Sequence, residues 1–175
     1  QSLDVNQTII MPGNAVSVMS MGGMAIMKQS VVGGKYSVSQ QGMEAPITDE
    51  LKESLDEAAV IIPEQTYMAK GYKLKIVGAE KVEGKDAIDM EVTTPSGKVS
   101  HRFYDATSYL LVKTAVSQEV PGQGTVTQQQ YYKAYKLVNG IQIASEEVMD
   151  MGQMKINIKY TDIKANQGLK VTDLK

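Results

Sequence analysis

The feature that most limits what this chain can become is a two-residue rhythm broken by turn signals at short intervals. Met11-Pro12-Gly13-Asn14, Gly22-Gly23, Gly33-Gly34, Glu83-Gly84, Pro95-Ser96-Gly97, Pro121-Gly122-Gln123-Gly124, Asn139-Gly140 and Gly152-Gln153 punctuate the sequence. Between them apolar and polar residues alternate. Tyr72, Leu74 and Ile76 alternate with Lys73 and Lys75, and Ile88, Met90 and Val92 with Asp89 and Glu91. Met154, Ile156, Ile158 and Tyr160 alternate with Lys155, Asn157 and Lys159. A strand sends successive side chains to opposite faces, so each segment reads as a strand with one buried and one wet face. Asn139-Gly140 suits a type I′ hairpin turn, in which both central residues need positive φ. Repeated hairpins imply a largely antiparallel meander.

One segment departs from the rhythm. In "ITDELKESLDEAAVIIPEQ", Leu51, Leu55, Ala58 or Ala59, and Ile62 fall at helical spacing. Thr48 is placed to cap the N-terminus, and Asp49 and Glu50 sit at the positive end of the helix dipole. Pro63 is expected to stop a helix running from Asp49 to Ile62. Its apolar stripe is too narrow to be buried all round, so the helix should lie on one face of the sheet. The expected class is α+β, mainly β: one curved antiparallel sheet with at least one helix packed on it.

The 175 residues suffice for one domain with a real core. Charge is balanced, 18 basic against 20 acidic residues, and no Lys/Arg cluster forms a footprint for nucleic acid or an anionic membrane surface. The apolar runs are too short to span a bilayer. No cysteine is present, which excludes disulfides, thiolate metal sites and cysteine nucleophiles. Gln1 follows no visible signal peptide. The unusual numbers are 11 Met and 9 Tyr against 1 Phe and no Trp. Met fills irregular apolar space, which suits either an adaptable core or an adaptable, greasy binding surface.

Catalytic constellations are hard to find. His101 is the only histidine and lies between Val99 and Phe103 on one strand face, opposite Ser100, Arg102 and Tyr104. With one His and no Cys, a zinc site or a Ser-His triad lacks its partners, so a local hydrogen bond is the expected role of His101. Asp49, Glu50, Glu53, Asp56 and Glu57 read as the solvated face of the helix. Glu146, Glu147 and Asp150 could meet a divalent cation, but strand alternation divides neighbours between faces. "SMGGMAIMK" and "VVGGKYS" lack the Walker pattern and read as turns or bulges. Tyr131, Tyr132 and Tyr135 with Lys133 and Lys136 form a weak aromatic-basic patch, in which Tyr132 should point inward and Tyr131 to water.

Longer signatures accompany the strands: V-x-G-K-D-A at Val82 to Ala87, T-P-S-G-K at Thr94 to Lys98, and F-Y-D-A-x-x-x-L-L-V at Phe103 to Val112. They continue with Y-x-x-V-N-G-I at Tyr135 to Ile141 and N-x-G-L-x-x-x-D-L at Asn166 to Leu174. From about Met19 onward the chain resembles the outer-membrane lipoprotein-sorting superfamily, which includes LolA-like and LolB-like carriers. It is most similar to Bacteroidetes periplasmic members, among them domains attached to insulinase-type zinc peptidases. The inverted H-x-x-E-H motif of those peptidases is absent, so no peptidase activity carries over.

The resemblance implies a single LolA-like domain over residues 1–175, lacking the family's N-terminal helix and first strands. It implies a half-open β-barrel whose concave face is plugged by helices, with an apolar cavity for acyl chains between sheet and helix. The Asp49 to Ile62 helix would be the lid, with Leu51, Leu55 and Ile62 as its inner stripe. Met19, Met21, Met90, Met149, Met151 and Met154 would line the cavity. The expected function is non-enzymatic binding of lipid acyl chains or another hydrophobic ligand, without a cofactor, in the periplasm or at the outer membrane. The alternative is an accessory domain of a larger envelope protein, peptidase-associated in some relatives, that binds a protein partner through its sheet face or edge.

Overall fold

The computed structural model describes residues 3–120, 124–152 and 154–174. The expected turn at Pro121-Gly122-Gln123 and residue Gln153 lie outside the described residues. The chain is mainly antiparallel sheet with few helices, as expected, and its strands divide into two ladders. Two compact units carry them, Gln1–Lys70 with Asn166–Lys175 and Gly71–Ala165.

The first unit is a five-stranded meander in sequence order: β1 (Leu3–Ile10), β2 (Asn14–Met21), β3 (Met24–Val32), β4 (Lys35–Gln40) and β5 (Met43–Glu44). Gly22-Gly23, Gly33-Gly34 and Gln41-Gly42 turn the chain with both central φ positive, the type I′ geometry whose twist matches the strands it joins. Asn14 fastens the other end of the sheet. Its amide donates to Pro12 O at 2.9 Å, and its Oδ1 accepts from Gly33 N at 2.9 Å.

Helix α1 (Asp49–Ala58) packs on this sheet. Thr48 caps it as expected, its Oγ1 accepting from Leu51 N at 3.2 Å. Leu55 and Ala59 join Ala15, Val31 and Val38 in a buried cluster, flanked by Ile9, Tyr36, Ala45, Ile47 and Leu51. The helix ends four residues short of the expected Ile62. Val60, Ile61 and Ile62 are β-branched, and Pro63 pushes the residue before it out of helical φ/ψ. Pro63 instead opens a short second helix, α2 (Glu64–Tyr67), and Ile62 stands 40% exposed outside α1.

The second unit is a seven-stranded meander: β6 (Lys73–Val82), β7 (Lys85–Thr93), β8 (Val99–Asp105), β9 (Leu111–Val120), β10 (Gly124–Val138), β11 (Ile141–Asp150) and β12 (Lys155–Lys159). Glu83-Gly84 and Asn139-Gly140 both have paired positive φ, so the expected type I′ turn is present. Asp105 closes the β8–β9 loop: its Oδ1 accepts from Ser108 N at 2.7 Å and Thr107 N at 3.0 Å, which holds its carboxyl below the usual range.

Two local expectations fail here. β6 is the terminal strand and is exposed along its length except at Val82, so Leu74 and Ile76 do not form a buried face. Tyr131 is not turned to water: it packs on the buried Val82, Ala87 and Phe103. In this unit the face opposite Tyr132 has a core of its own, which alternation alone does not reveal.

Candidate hydrophobic binding face

Cross-strand partners in an antiparallel ladder share a face, so the register resolves the helix-facing side of the five-stranded sheet into rows. The row Ile9–Ala15–Val31–Tyr36 lies in the cluster under α1. The next, Gln7–Ser17–Gln29–Val38, is mostly polar. Beyond it the surface turns apolar again, with Val5–Met19–Met27–Gln40–Met43 and then Leu3–Met21–Met24. Met24 is 73% exposed and Met43 71% exposed.

Helix α1 is held over the first row by packing and by polar contacts. The Tyr36 hydroxyl donates to Asp56 Oδ1 at 2.9 Å, and Gln7 Nε2 donates to Ala58 O at 3.3 Å. Burial and the adjacent Asp56 carboxylate raise the Tyr36 pKa, so this contact stays a neutral donor through ordinary pH. Lys70 Nζ lies 3.5 Å from the other Asp56 oxygen.

Between α1 and the polar row is a hollow of about 20 Å³, touched by Gln7, Ser17, Gln29 and Leu55. That is room for one water molecule, far below the several hundred Å³ of a typical ligand site. Under α1 the sheet is packed by Leu55 and Ala59 rather than by Met.

The structure therefore sorts the expected lining residues. Leu51 and Leu55 lie in the helix-sheet core, and Met19 and Met21 extend the same sheet face beyond it. Ile62 lies outside the helix. Met90 and Met149 share a face of the seven-stranded sheet but stand four strands apart, roughly 19 Å at 4.8 Å per strand. Arg102, Thr114 and Gln130 fill the row between them. Met151 and Met154 flank the reversal into β12, joined by a backbone hydrogen bond of 2.9 Å. Met24, Met27 and Met43 lie on this face as well, although they are not among the expected lining residues. A two-residue Gly22-Gly23 turn necessarily sets Met24 opposite Met21, so that signal was available.

Elsewhere the acidic and aromatic candidates are occupied. His101 Nδ1 lies 2.9 Å from Asp89 Oδ1, and its ring stacks on Phe103 at 6.2 Å, as expected of a local contact. Glu146 pairs with Lys159 and Asp150 with Lys155, each at 2.9 Å. Glu147 faces the other way, accepting from Gln130 Nε2 at 2.7 Å and from Tyr160. Burial pushes the Glu147 carboxyl up, and pushes Tyr160 up to about 12 with help from Glu147. Among the described residues no three His, Cys, Asp or Glu side chains gather into a metal-holding group, and no helix is long and apolar enough to cross a membrane.

No protein-family model matches the sequence, and no curated protein matches it. Solved structures do. A DUF1329 family protein from Desulfovibrio piger superposes with a TM-score of 0.63 at 11% identity, covering 99% of this chain and 80% of its own. A LolA superfamily protein from Nitrosomonas europaea gives 0.57 at 11% identity, covering 99% and 87%. A domain from Vibrio parahaemolyticus described as an outer membrane lipoprotein-sorting protein gives 0.54 at 15% identity, covering 98% and 75%. The likeness at these identities is one of fold.

Proposed function

We propose that this chain is a non-enzymatic envelope domain that takes up a lipid acyl chain, or another apolar ligand, on the helix-facing side of its five-stranded sheet. One observation carries the reading: two open rows rich in thioether and aliphatic side chains lie, one mostly polar row away, on the same sheet face that a short helix covers. A protein keeps such a patch exposed when something else is meant to cover it. The fold likeness to lipoprotein-sorting proteins supports the same assignment and a periplasmic or outer-membrane location.

Helix α1 acts as a movable cover in this proposal, with Leu51 and Leu55 as its inner contacts and Met19 and Met21 as the adaptable floor. Lifting it uncovers Leu51, Leu55, Ala59 and the sheet side chains beneath them, and parts the Tyr36–Asp56 and Gln7–Ala58 contacts. Each methylene of a bound chain returns about 0.8 kcal/mol towards that cost. Met90, Met149, Met151 and Met154 have no part in this version, because they belong to the seven-stranded ladder and not to the face that α1 covers.

The test is organic extraction of natively purified protein followed by lipid mass spectrometry, repeated after incubation with phospholipid micelles. Stoichiometric lipid that is lost in a still-folded Leu51→Asp variant supports the reading. A clean extract in both conditions overturns it.

A second reading rests on β6. This terminal strand exposes its outer edge and leaves Ile76 72% accessible, the geometry to which an extended partner adds a strand. Lys73, Lys75 and Lys81 and the bulge between Ile76 and Gly78 guard the edge against indiscriminate pairing. An accessory role in a larger envelope assembly would use this edge, and a β6-edge Val77→Pro variant that still retained every co-purifying partner would count against it.

A further inference from the structure

The segment "MSMGGMAIM", residues 19–27, spaces four methionines as M-x-M-x-x-M-x-x-M. In an unbroken strand the interval of three between Met24 and Met27 would send them to opposite faces. The register does otherwise. Met21 pairs with Met24 and Ser20 with Ala25, but Met19 pairs with Met27, so Ile26 is an extra, bulged residue. Its carbonyl accepts from Gln41 N at 2.9 Å, which holds the bulge in place. Met21 and Met24 are thus one cross-strand pair and Met19 and Met27 the next, all on a single face.

Partners across an antiparallel pair have Cβ atoms about 5 Å apart, and residues two apart on a strand are separated by about 6.8 Å. The thioether sulfur stands two bonds beyond Cβ on rotatable links, so four sulfurs can close on one point. Met19 and Met27 are half-buried, Met21 is 37% exposed and Met24 is 73% exposed, so the cluster is open to solvent on one side. Leu3 and Val5, the β1 partners of Met21 and Met19, form an apolar flank without a competing hard donor.

We propose that Met19, Met21, Met24 and Met27 form a binding site for a soft monovalent cation, Cu(I). Neutral thioethers are soft donors that select Cu(I), whereas Zn²⁺, Mg²⁺ and Ca²⁺ require imidazole, thiolate or oxygen ligands. A purely structural methionine would be buried to fill space. Met24 fills none, and leucine would serve equally in an apolar surface. The ligands carry no proton, so affinity should be flat across the pH range in which histidine or cysteine sites weaken.

The full chain, with its methionine ε-methyl groups labelled with ¹³C, is titrated anaerobically with Cu(I) buffered by a chromophoric chelator, and separately with Ag(I), Cu(II) and Zn(II). One equivalent of Cu(I) or Ag(I) should shift the methyl signals of Met19, Met21, Met24 and Met27, leave Met90 and Met149 in place, and bind equally at mildly acidic and neutral pH. Cu(II) and Zn(II) should not shift them. Met21→Leu with Met24→Leu keeps volume and apolarity but removes two sulfurs, and should weaken Cu(I) binding about tenfold or more, the scale of losses when a metal's surroundings are altered. Met90→Leu should not change it. Absence of a methyl shift at one equivalent of Cu(I), or a folded double-leucine variant that binds as tightly as the parent, would overturn the proposal. Because leucine preserves the apolar surface, these outcomes are separate from lipid uptake.

Discussion

The two sheets solve the same problem by different means. In the five-stranded sheet, small side chains (Ala15, Val31, Val38) are covered by Leu55 and Ala59 of a helix, and methionines occupy the end that the helix does not reach. In the seven-stranded sheet, a core of Val82, Ala87 and Phe103 is built from strands alone. Lys113 covers Phe103, its Nζ 4.3 Å from the ring centroid and 2.9 Å from Glu80. Charged pairs tie neighbouring strands, Lys155 to Asp150 and Lys159 to Glu146, and Lys133 on β10 reaches across to Glu83 in the β6–β7 turn. A cover made of a helix can lift as one piece. A cover made of interlocked lysines and glutamates yields only side chain by side chain, which is why the movable element is assigned to the first sheet.

The sharpest way to break this contrast is to empty each core. Phe103→Ala should cost about 3–5 kcal/mol and Leu55→Ala about 2–5 kcal/mol in denaturant unfolding. The contrast adds that Leu55→Ala also frees α1, visible as faster amide exchange confined to residues 49–59. Unchanged exchange there would mean that α1 is fixed by something other than its core contact. Next in size is Tyr36→Phe, which removes the hydroxyl donated to Asp56 and should cost about 1 kcal/mol, again with faster exchange in α1.

A pH titration sharpens the other side. Glu147 has a folded-state pKa above its ordinary value, so the native state holds that proton more tightly than the unfolded chain. Its contribution is therefore favourable at low pH and is lost as pH rises from about 4.5 through the raised value. Tyr160 behaves alike in the alkaline range, with stability falling as pH rises from 10 towards about 12. Glu147→Gln should flatten the acid-side slope of the unfolding midpoint and lessen the alkaline slope, because the Glu147 carboxylate helps raise Tyr160; an unaltered acid-side slope would assign it to another group. The smallest effect belongs to Lys81→Ala, which breaks an exposed pair with Asp86 and should stay within about 0.5 kcal/mol.

Much of this arrangement is legible in the sequence because it is local. Type I′ turns, the Thr48 cap and the alternation in β12 depend on residues a few positions apart, and all are present, whereas β7 buries Ala87 and Val92 on opposite faces and so has no wet side. What escapes is set at long range. Alternation marks Leu74 and Ile76 as inward, yet a terminal strand has no second neighbour to help bury them. Helical spacing reaches Ile62, but three β-branched residues before Pro63 end the helix at Ala58. The division of the methionines between two ladders follows from strand order, which no short window contains. The candidate face was half visible: Leu51, Leu55, Met19 and Met21 could be named, whereas Met27 joins them only through an extra residue at Ile26.

The Asn14 contacts have a kinetic corollary. They stitch the β1–β2 loop to the β3–β4 turn at the end of the sheet that α1 covers, while the Gly22-Gly23 and Gln41-Gly42 turns cap the opposite end without such a stitch among the described side-chain hydrogen bonds. Spontaneous unzipping of this sheet is then directional. It is expected to begin at the methionine tip and to stall at Asn14, so the proposed binding surface would also be the part of the ladder that breathes first.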